Sequence, residues 1–275
     1  GFGLVSSAAL LFLRPRKAVL SAYSAALGLS IALAIIAELA QSFSARDASL
    51  DDFAADLLGL GGFLALALTL DPVLRKRLPT WGTVIIGGFG VIATSLAVLP
   101  LLLAIRTDFL QASARPVVAT FDNNWESSTY RRTGRSKLSL IAPPADWPVK
   151  HGRIARLEMS GARFGGIQFE PFPNWSHYDS ISFLASSPTS ESFEVELRIN
   201  DASSRRWRDG FTVHLSLTEQ IQRFEIPFAD FQNSGTEREL DLAQVASLTL
   251  FARKSEAGEL MLIDDFRLNV STVEH

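Results

Sequence analysis

Three long stretches almost free of charge decide what the front of this chain can become. Ala18–Ala37 and Thr83–Ile105 carry no charged residue, and Phe53–Leu70 carries only Asp56, in its first turn. A helix needs about 20 apolar residues, at roughly 1.5 Å each, to cross the hydrocarbon of a bilayer. Helices of soluble proteins show an apolar stripe, whereas these runs are apolar on every face. Three membrane-spanning helices are therefore expected. A fourth run, Leu4–Leu13, is too short to span. The chain opens on Gly1-Phe2-Gly3, so this run reads as the tail of a helix whose beginning is missing. Basic residues follow it instead of preceding it, which is the reverse of a signal peptide.

Charge in the connections sets the expected orientation. Arg14, Arg16 and Lys17 lie between the first and second runs, and Arg75, Lys76 and Arg77 between the third and fourth. The connection between the second and third holds Arg46 together with Asp47, Asp51 and Asp52. Short Lys/Arg-rich loops stay in the cytoplasm. The acidic loop then faces outside, and the chain emerges outside again after the last run. Everything beyond it is expected to be extracytoplasmic, with the front part in a bacterial cytoplasmic membrane.

The apolar part contains one dense polar cluster. Glu38 and Gln41 are three residues apart at the end of one helix, and Asp52 and Asp56 are four apart at the start of the next, so each pair shares a helix face. A hairpin would bring these faces together beside Arg46. Carboxylates at the edge of hydrocarbon pair with other groups or line a polar cavity, and a helix N-terminus favours Asp52 and Asp56 through its dipole. A hydrogen-bonded lock on the hairpin and a site for a polar headgroup both fit. The set Glu38, Gln41, Phe43, Arg46, Asp52, Asp56 and Gly59 resembles the pattern E-x-x-Q-x-F, then R, then D-x-x-x-(N/D)-x-x-G of the VanZ-like membrane proteins. The likeness covers roughly residues 1–106, and Asp56 stands where that family more often has Asn. It implies an all-α transmembrane helical bundle in the cell envelope without implying a particular reaction. Small residues four apart, Ala55 with Gly59 and Gly61 with Ala65, are spaced for close helix packing, and Gly87, Gly88 and Gly90 add a second permissive stretch.

Residues 107–116 read as a polar linker ending at Pro116, and residues 117–275 as a soluble all-β domain. Phe193, Val195, Leu197 and Ile199 alternate with Glu194, Glu196, Arg198 and Asn200; Phe211, Val213, Leu215 and Leu217 alternate with Thr212, His214 and Ser216. That period of two marks strands with one buried and one wet face. Further strands are expected over Ala155–Met159, Gly166–Phe169, Ser180–Ala185, Gln222–Ile226, Ser247–Phe251 and Glu259–Val270, separated by turn-rich pieces. About eight strands of this kind suit a β-sandwich or jelly roll.

Three segments carry a second likeness: Phe121-Asp122, Ile226-Pro227-Phe228-Ala229-Asp230-Phe231 and Leu262-Ile263-Asp264-Asp265-Phe266-Arg267-Leu268. Together they resemble the galactose-binding-like jelly rolls found in carbohydrate-binding modules. That resemblance implies a sugar ligand, and it implies that Asp122 and Asp265 are the positions for a structural calcium ion. Sugar binding needs aromatic platforms beside hydrogen-bonding groups. Trp125, Trp147, Trp175 and Trp207 are the candidate platforms, with Arg198, Asn200 and His214 on the expected wet faces. Trp207, flanked by Arg205, Arg206, Arg208 and Asp209, is the one most expected to be exposed.

Several chemistries are excluded. The chain has no cysteine, hence no disulfide, zinc-thiolate or thiol nucleophile. Its net charge of -3, without a basic stripe, gives no reason to expect nucleic acid. No Gly-rich phosphate loop, H-E-x-x-H or nucleophile elbow is present. Asp264 and Asp265 are adjacent on one expected strand and should point to opposite faces, which rules out a glycosidase pair. The reading is a membrane-anchored envelope protein, in contact with the lipid bilayer, that displays a glycan-binding-like sandwich. Two alternatives stay open: an enzyme acting on a lipid-linked glycan through Glu38, Arg46, Asp52 and Asp56, and a module that binds a protein partner in an envelope or export complex.

Overall fold

The computed structural model describes residues 8–10, 13, 18–42, 50–149, 152–161, 163–233 and 238–270. The chain divides after Ile105 into two compact units.

The first unit is helical. Helix α1 spans Val19–Ser42, α2 Leu50–Leu70, and α3 is a single turn, Pro72–Arg75. Helix α4 runs from Thr80 to Ala114, and its residues after Ile105 belong to the second unit. Asp71 starts α3: its carboxylate accepts the backbone N–H of Val73 at 2.9 Å, and Pro72 follows as the first helical residue, where its missing N–H costs nothing. Leu10, Ala22, Ala26, Leu60 and Leu64 form one buried cluster that packs α1 on α2. Between α2 and α4 the backbones approach closely. A Cβ on Gly62 would lie 2.7 Å from the Thr94 backbone nitrogen, and one on Gly90 would lie 2.9 Å from that of Leu66. Contact therefore falls on Gly59, Gly62 and Gly90; Gly61, expected from its spacing with Ala65, has only the Phe89 ring at 4.0 Å.

Among the described residues one helix, α4, is long and apolar enough to cross a membrane. It has 35 residues, its most apolar stretch has a mean hydropathy of 2.3, and that stretch is 11% buried. Phe89, Ile92, Leu96, Leu99 and Leu102 lie on its exposed surface. The other described apolar helices, Ser21–Leu33 and Asp56–Leu70, are shorter, so the expected bundle of three spans is met by one. Helix α4 continues through most of the expected polar linker, to Ala114. Residues 106–114 contain neither Gly nor Pro; α4 accommodates Pro100 in its interior, and Pro116 lies just beyond its end.

The second unit is a β-sandwich of two antiparallel six-stranded sheets. Its strands are β1 Val117–Ala119, β2 Tyr130–Thr133, β3 Lys137–Ile141, β4 Ile154–Ser160, β5 Gly165–Phe169 and β6 Ser180–Ser186. They continue with β7 Phe193–Asp201, β8 Phe211–Leu217, β9 Gln222–Pro227, β10 Gln232–Asn233, β11 Val245–Ala252 and β12 Ala257–Asn269. One sheet has the order β3-β4-β12-β6-β9, with β1 also on β12; the other has the order β10-β8-β7-β11-β5-β2. All eight expected strands are present, with β1, β2, β3 and β10 in addition.

The core lies between the sheets and is aromatic at its centre. Phe183 on β6 and Phe266 on β12 stack with centroids 4.7 Å apart, and Phe169 on β5 reaches Phe266 from the opposite sheet, also at 4.7 Å. Phe193, Val195, Leu197 and Ile199 all face this core, as their alternation predicts.

One expectation about faces is overturned. The register of β12 against β6 slips between Asp264 and Arg267, and Asp265 takes a φ of 54°. A bulge inserts an extra residue and breaks the alternation. Ile263 and Phe266 both enter the core, so Asp264 and Asp265 both lie on the outer side. There Arg223 and Arg267 pair with Asp265. Burial works against the Asp265 carboxylate, but these two guanidinium groups outweigh it and hold its pKa below the ordinary range. Asp264 lies under the segment that precedes β4. Trp147, fully buried, packs on Ile154, Leu184 and Leu262 and donates its indole N–H to Asp264 Oδ2 at 3.1 Å. The two carboxylates thus share a face yet have separate structural partners.

Burial pushes the Asp264 carboxyl up from 3.8 to about 6, against the Trp147 and Asp265 N–H bonds that lower it. Between those values the folded chain holds a proton that the unfolded chain has released, so Asp264 makes the fold less stable as pH rises through that window. A difference of this size is worth about 3 kcal/mol across the whole window. Thermal unfolding should therefore show a higher midpoint at pH 5 than at pH 7. Asp264→Asn should flatten that difference, and an unchanged slope in the variant would refute the assignment.

Candidate functional site

The outer face of the β10-to-β2 sheet carries the polar residues of the alternating strands. Arg198 on β7 is paired in register with Thr212 on β8 and Thr249 on β11, and Thr249 with Gln168 on β5. Cross-strand partners share a face, so these side chains form one row across four strands. Over one end of the row stands the connection from β7 to β8, which carries Trp207. Together they enclose an open trough of about 260 Å³, lined by Gln168, Arg198, Asn200, Trp207 and Thr249 with Phe251 in its floor.

The connection that carries Trp207 is built around two carboxylates. Asp201, with no exposed side-chain surface, accepts from Arg238 Nη2 at 2.9 Å, from the Ser204 hydroxyl at 3.0 Å and from the Asp241 N–H at 3.1 Å. Burial alone would raise its pKa; Arg238 and these donors outweigh that and hold it below the usual carboxylate value. Asp209 accepts the backbone N–H of Arg206 at 2.8 Å and of Arg205 at 3.2 Å, which closes the short 3-10 turn Trp207–Asp209. Arg238 also donates to the Asp209 carbonyl at 2.8 Å. The turn is thus tied to the sheet at both ends.

Trp207 remains 54% exposed. The Arg198 guanidinium lies 4.1 Å from its ring centroid, an arrangement worth about 1–2 kcal/mol when partly desolvated. Arg198 Nη2 also donates to the Trp207 carbonyl, and Nε to Asn200 Oδ1 at 3.0 Å. Asn200 in turn donates to the Ser247 hydroxyl at 3.0 Å. Gly210 makes this possible: a Cβ there would fall 2.3 Å from Asn200 Oδ1 and 2.4 Å from Arg198 Nη2. Burial lowers the Arg198 pKa from its ordinary value, with neighbouring Glu196 acting in the opposite direction. Phe164 completes the aromatic edge, with its ring 5.2 Å from Trp207. Its φ of 61° is unusual for a bulky residue, and its ring is 42% exposed.

The sequence-derived site residues distribute unevenly. Trp207, Arg198 and Asn200 come together, with Arg198 buried beside the indole where a wet-face position was expected. His214 lies on the same face but outside the trough, exposed and 3.6 Å from buried Glu196, which Arg253 also holds. Trp125 is half-buried on the turn Asn124–Ser128 and takes no part in the trough. Trp175 and Trp147 are corrected: both are fully buried, Trp175 donating to the Phe172 carbonyl at 2.8 Å and stacking on Phe228. Both are large rings whose single N–H finds an internal acceptor, which lets them serve as core. Asp122 accepts the Arg153 N–H at 2.7 Å, and Asp265 has its two arginines. Among the described residues no group of three or more acidic or histidine side chains is placed to hold a metal ion. In the helical unit Arg46 lies outside the described residues, as do the side chains of Glu38, Gln41 and Asp52; Asp56 is half-buried on α2. Phe164, Gln168 and Thr249 escaped sequence reasoning. Gln168 and Thr249 sit on short strands whose wet faces carry no distinctive chemistry, whereas Phe164, between Gly161 and Gly165 in a turn, was a readable signal.

No family model matches the chain, and no curated protein matches it. The likeness of residues 1–106 to VanZ-like proteins thus rests on the residues quoted for it. Solved structures do match. A family 11 carbohydrate-binding module from Clostridium thermocellum, in complex with a β-1,3-1,4-mixed-linked tetrasaccharide, is 18% identical, with 53% of this chain and 89% of that one covered and a TM-score of 0.42. An exo-β-agarase is 14% identical, with 56% of this chain and 25% of that one covered and a TM-score of 0.46. The CBM22-1 xylan-binding domain of Paenibacillus barcinonensis Xyn10C is 14% identical, with 56% and 94% covered and a TM-score of 0.39. These scores are low, and the fold is defined here by strand order and register.

The trough should depend on the Asp201–Arg238 pair for its shape. Arg238→Ala leaves a buried carboxylate without its cation, and chemical denaturation of the full chain should show a loss of about 3–5 kcal/mol. Arg131→Ala removes an exposed partner of Glu170, whose side chain is itself 57% exposed, and should cost less than about 1 kcal/mol. Equal losses in the two variants would contradict the role given to Asp201.

Proposed function

We propose that the sandwich is a carbohydrate-binding module whose ligand lies along the Trp207 trough. The observation that carries this reading is an exposed indole held rigidly beside a row of side-chain hydrogen-bonding groups on an open sheet face. Sugar rings offer an apolar C–H face and a polar hydroxyl edge. The Trp207 ring, with Phe164 beside it, suits the first; Asn200, Gln168 and Thr249 suit the second. An open trough admits a long chain passing through, where an enclosed pocket would require a free end.

We also propose that the helical unit anchors this module in a bacterial cytoplasmic membrane, with the sandwich on the extracytoplasmic side. The length and exposed apolar surface of α4 support the anchor. The basic and acidic connections support the sidedness. The module would then be a cell-envelope component that holds a polysaccharide near the membrane.

Two measurements test these readings separately. The full chain in detergent should retain at least one polysaccharide from a panel, and Trp207→Ala should weaken that retention about ten-fold. Retention of none would overturn the binding reading. In cells, the chain should stay with membranes through an alkaline carbonate wash. Release into the supernatant would overturn the anchor.

A further inference from the structure

The trough's charge narrows the ligand class. Its lining holds three arginines, Arg198, Arg205 and Arg206, and no carboxylate. The acids nearby are already committed. Asp201 is held by Arg238, Asp209 closes the Trp207 turn through backbone N–H groups, and Glu196, outside the lining, is held through Oε1 by Arg253 and His214, its buried Oε2 having no hydrogen-bond partner among the described residues. Arg205 and Arg206 are exposed and make no ion pair to any described residue. Arg198 is 5% exposed; its Nε and Nη2 are bonded, and its Nη1 has no partner among the described residues.

Resting on the reading of the trough as a glycan site, we infer that its ligand is an acidic polysaccharide, whose ring-borne oxyanions meet Arg198, Arg205 and Arg206. A neutral sugar laid over the exposed Arg205 and Arg206, beside the already buried Arg198, would strip water from their guanidinium groups and return no countercharge, which is unfavourable. A carboxylate, sulfate or phosphate on the sugar supplies that charge, and the planar fork of arginine matches two of its oxygens at once. Trp207 and Phe164 would hold the ring faces, so the site takes sugar and charge together.

The full chain in detergent is titrated with polygalacturonate and, as a neutral isostere of the same backbone, with its fully methyl-esterified form. Dextran sulfate, a neutral mixed-linked β-glucan and linear polyphosphate complete the set. Binding to polygalacturonate or dextran sulfate at least ten-fold tighter than to either neutral glycan is the expected result. It should weaken several-fold between 50 and 300 mM salt, by about ten-fold in Arg205→Ala/Arg206→Ala, and by less in Arg205→Lys/Arg206→Lys. Equal binding of esterified and free polygalacturonate, or binding of the neutral glucan alone, overturns the inference and leaves the module a glycan binder. Polyphosphate bound as tightly as any glycan overturns it too, since charge would then suffice without a sugar face. Failure of every polymer overturns the glycan reading itself.

Discussion

Where Phe266 points determines much of the sandwich. Strand β12 pairs with β4, β6 and β1, and Phe266 stacks on Phe183 within its own sheet while touching Phe169 across the core. Each such ring, fully buried, contributes on the order of 2–3 kcal/mol by removal from water, but its larger effect is on register. A one-residue slip would turn Phe266 outward and bring Arg267 into the core. The bulge at Asp264–Asp265 is the adjustment that lets Ile263 and Phe266 both face inward along one strand. The outward displacement of both aspartates follows from it, and so do the arginine clamp on one and the tryptophan roof over the other.

The opposite sheet keeps the simple alternation through the stretch that bears the site, the shift of β11 against β7 falling outside it between Val245 and Ser247, and that regularity is what makes a site possible there. Arg198, Thr212, Thr249 and Gln168 line up across strands because their registers match without interruption. The connection from β7 to β8 then adds the aromatic element. Its fixed geometry is owed to Asp201 and Asp209, neither of which lines the trough. The buried ion pair with Arg238 acts at a distance from any ligand by setting where the indole stands.

Much of this was legible in the sequence, and the reasons for the rest are physical. Period-two runs in β7 and β8 announced the core and the opposite polar face with Arg198 and Asn200, but not that Arg198 would be buried there beside Trp207. Strands β2, β3 and β10 lie at sheet edges and β1 is only three residues long, so they carry weaker patterns. The Asp-Asp pair was read by alternation, which a bulge defeats. Trp175 and Trp207 are the same residue type in turn-rich surroundings; the difference is that Trp175 Nε1 finds the Phe172 carbonyl inside the fold, a three-dimensional fact. In the helical unit the apolar runs gave the helices, and spacing picked Gly59 and Gly90 at the contact, but Gly62 takes the place expected for Gly61, because helix rotation is set by the neighbour.

The Trp207 ring has one further consequence. Its backbone is pinned at both ends of a three-residue turn, and Arg198 lies over its ring with Phe164 tilted beside it, while 54% of the residue stays exposed. Most of the torsional freedom of that side chain is surrendered when the chain folds. A ligand arriving at the ring has little left to immobilise on the protein, so the ordering cost of association falls almost wholly on the ligand. Stiff polymers would then be held more tightly than limp ones offering the same contacts.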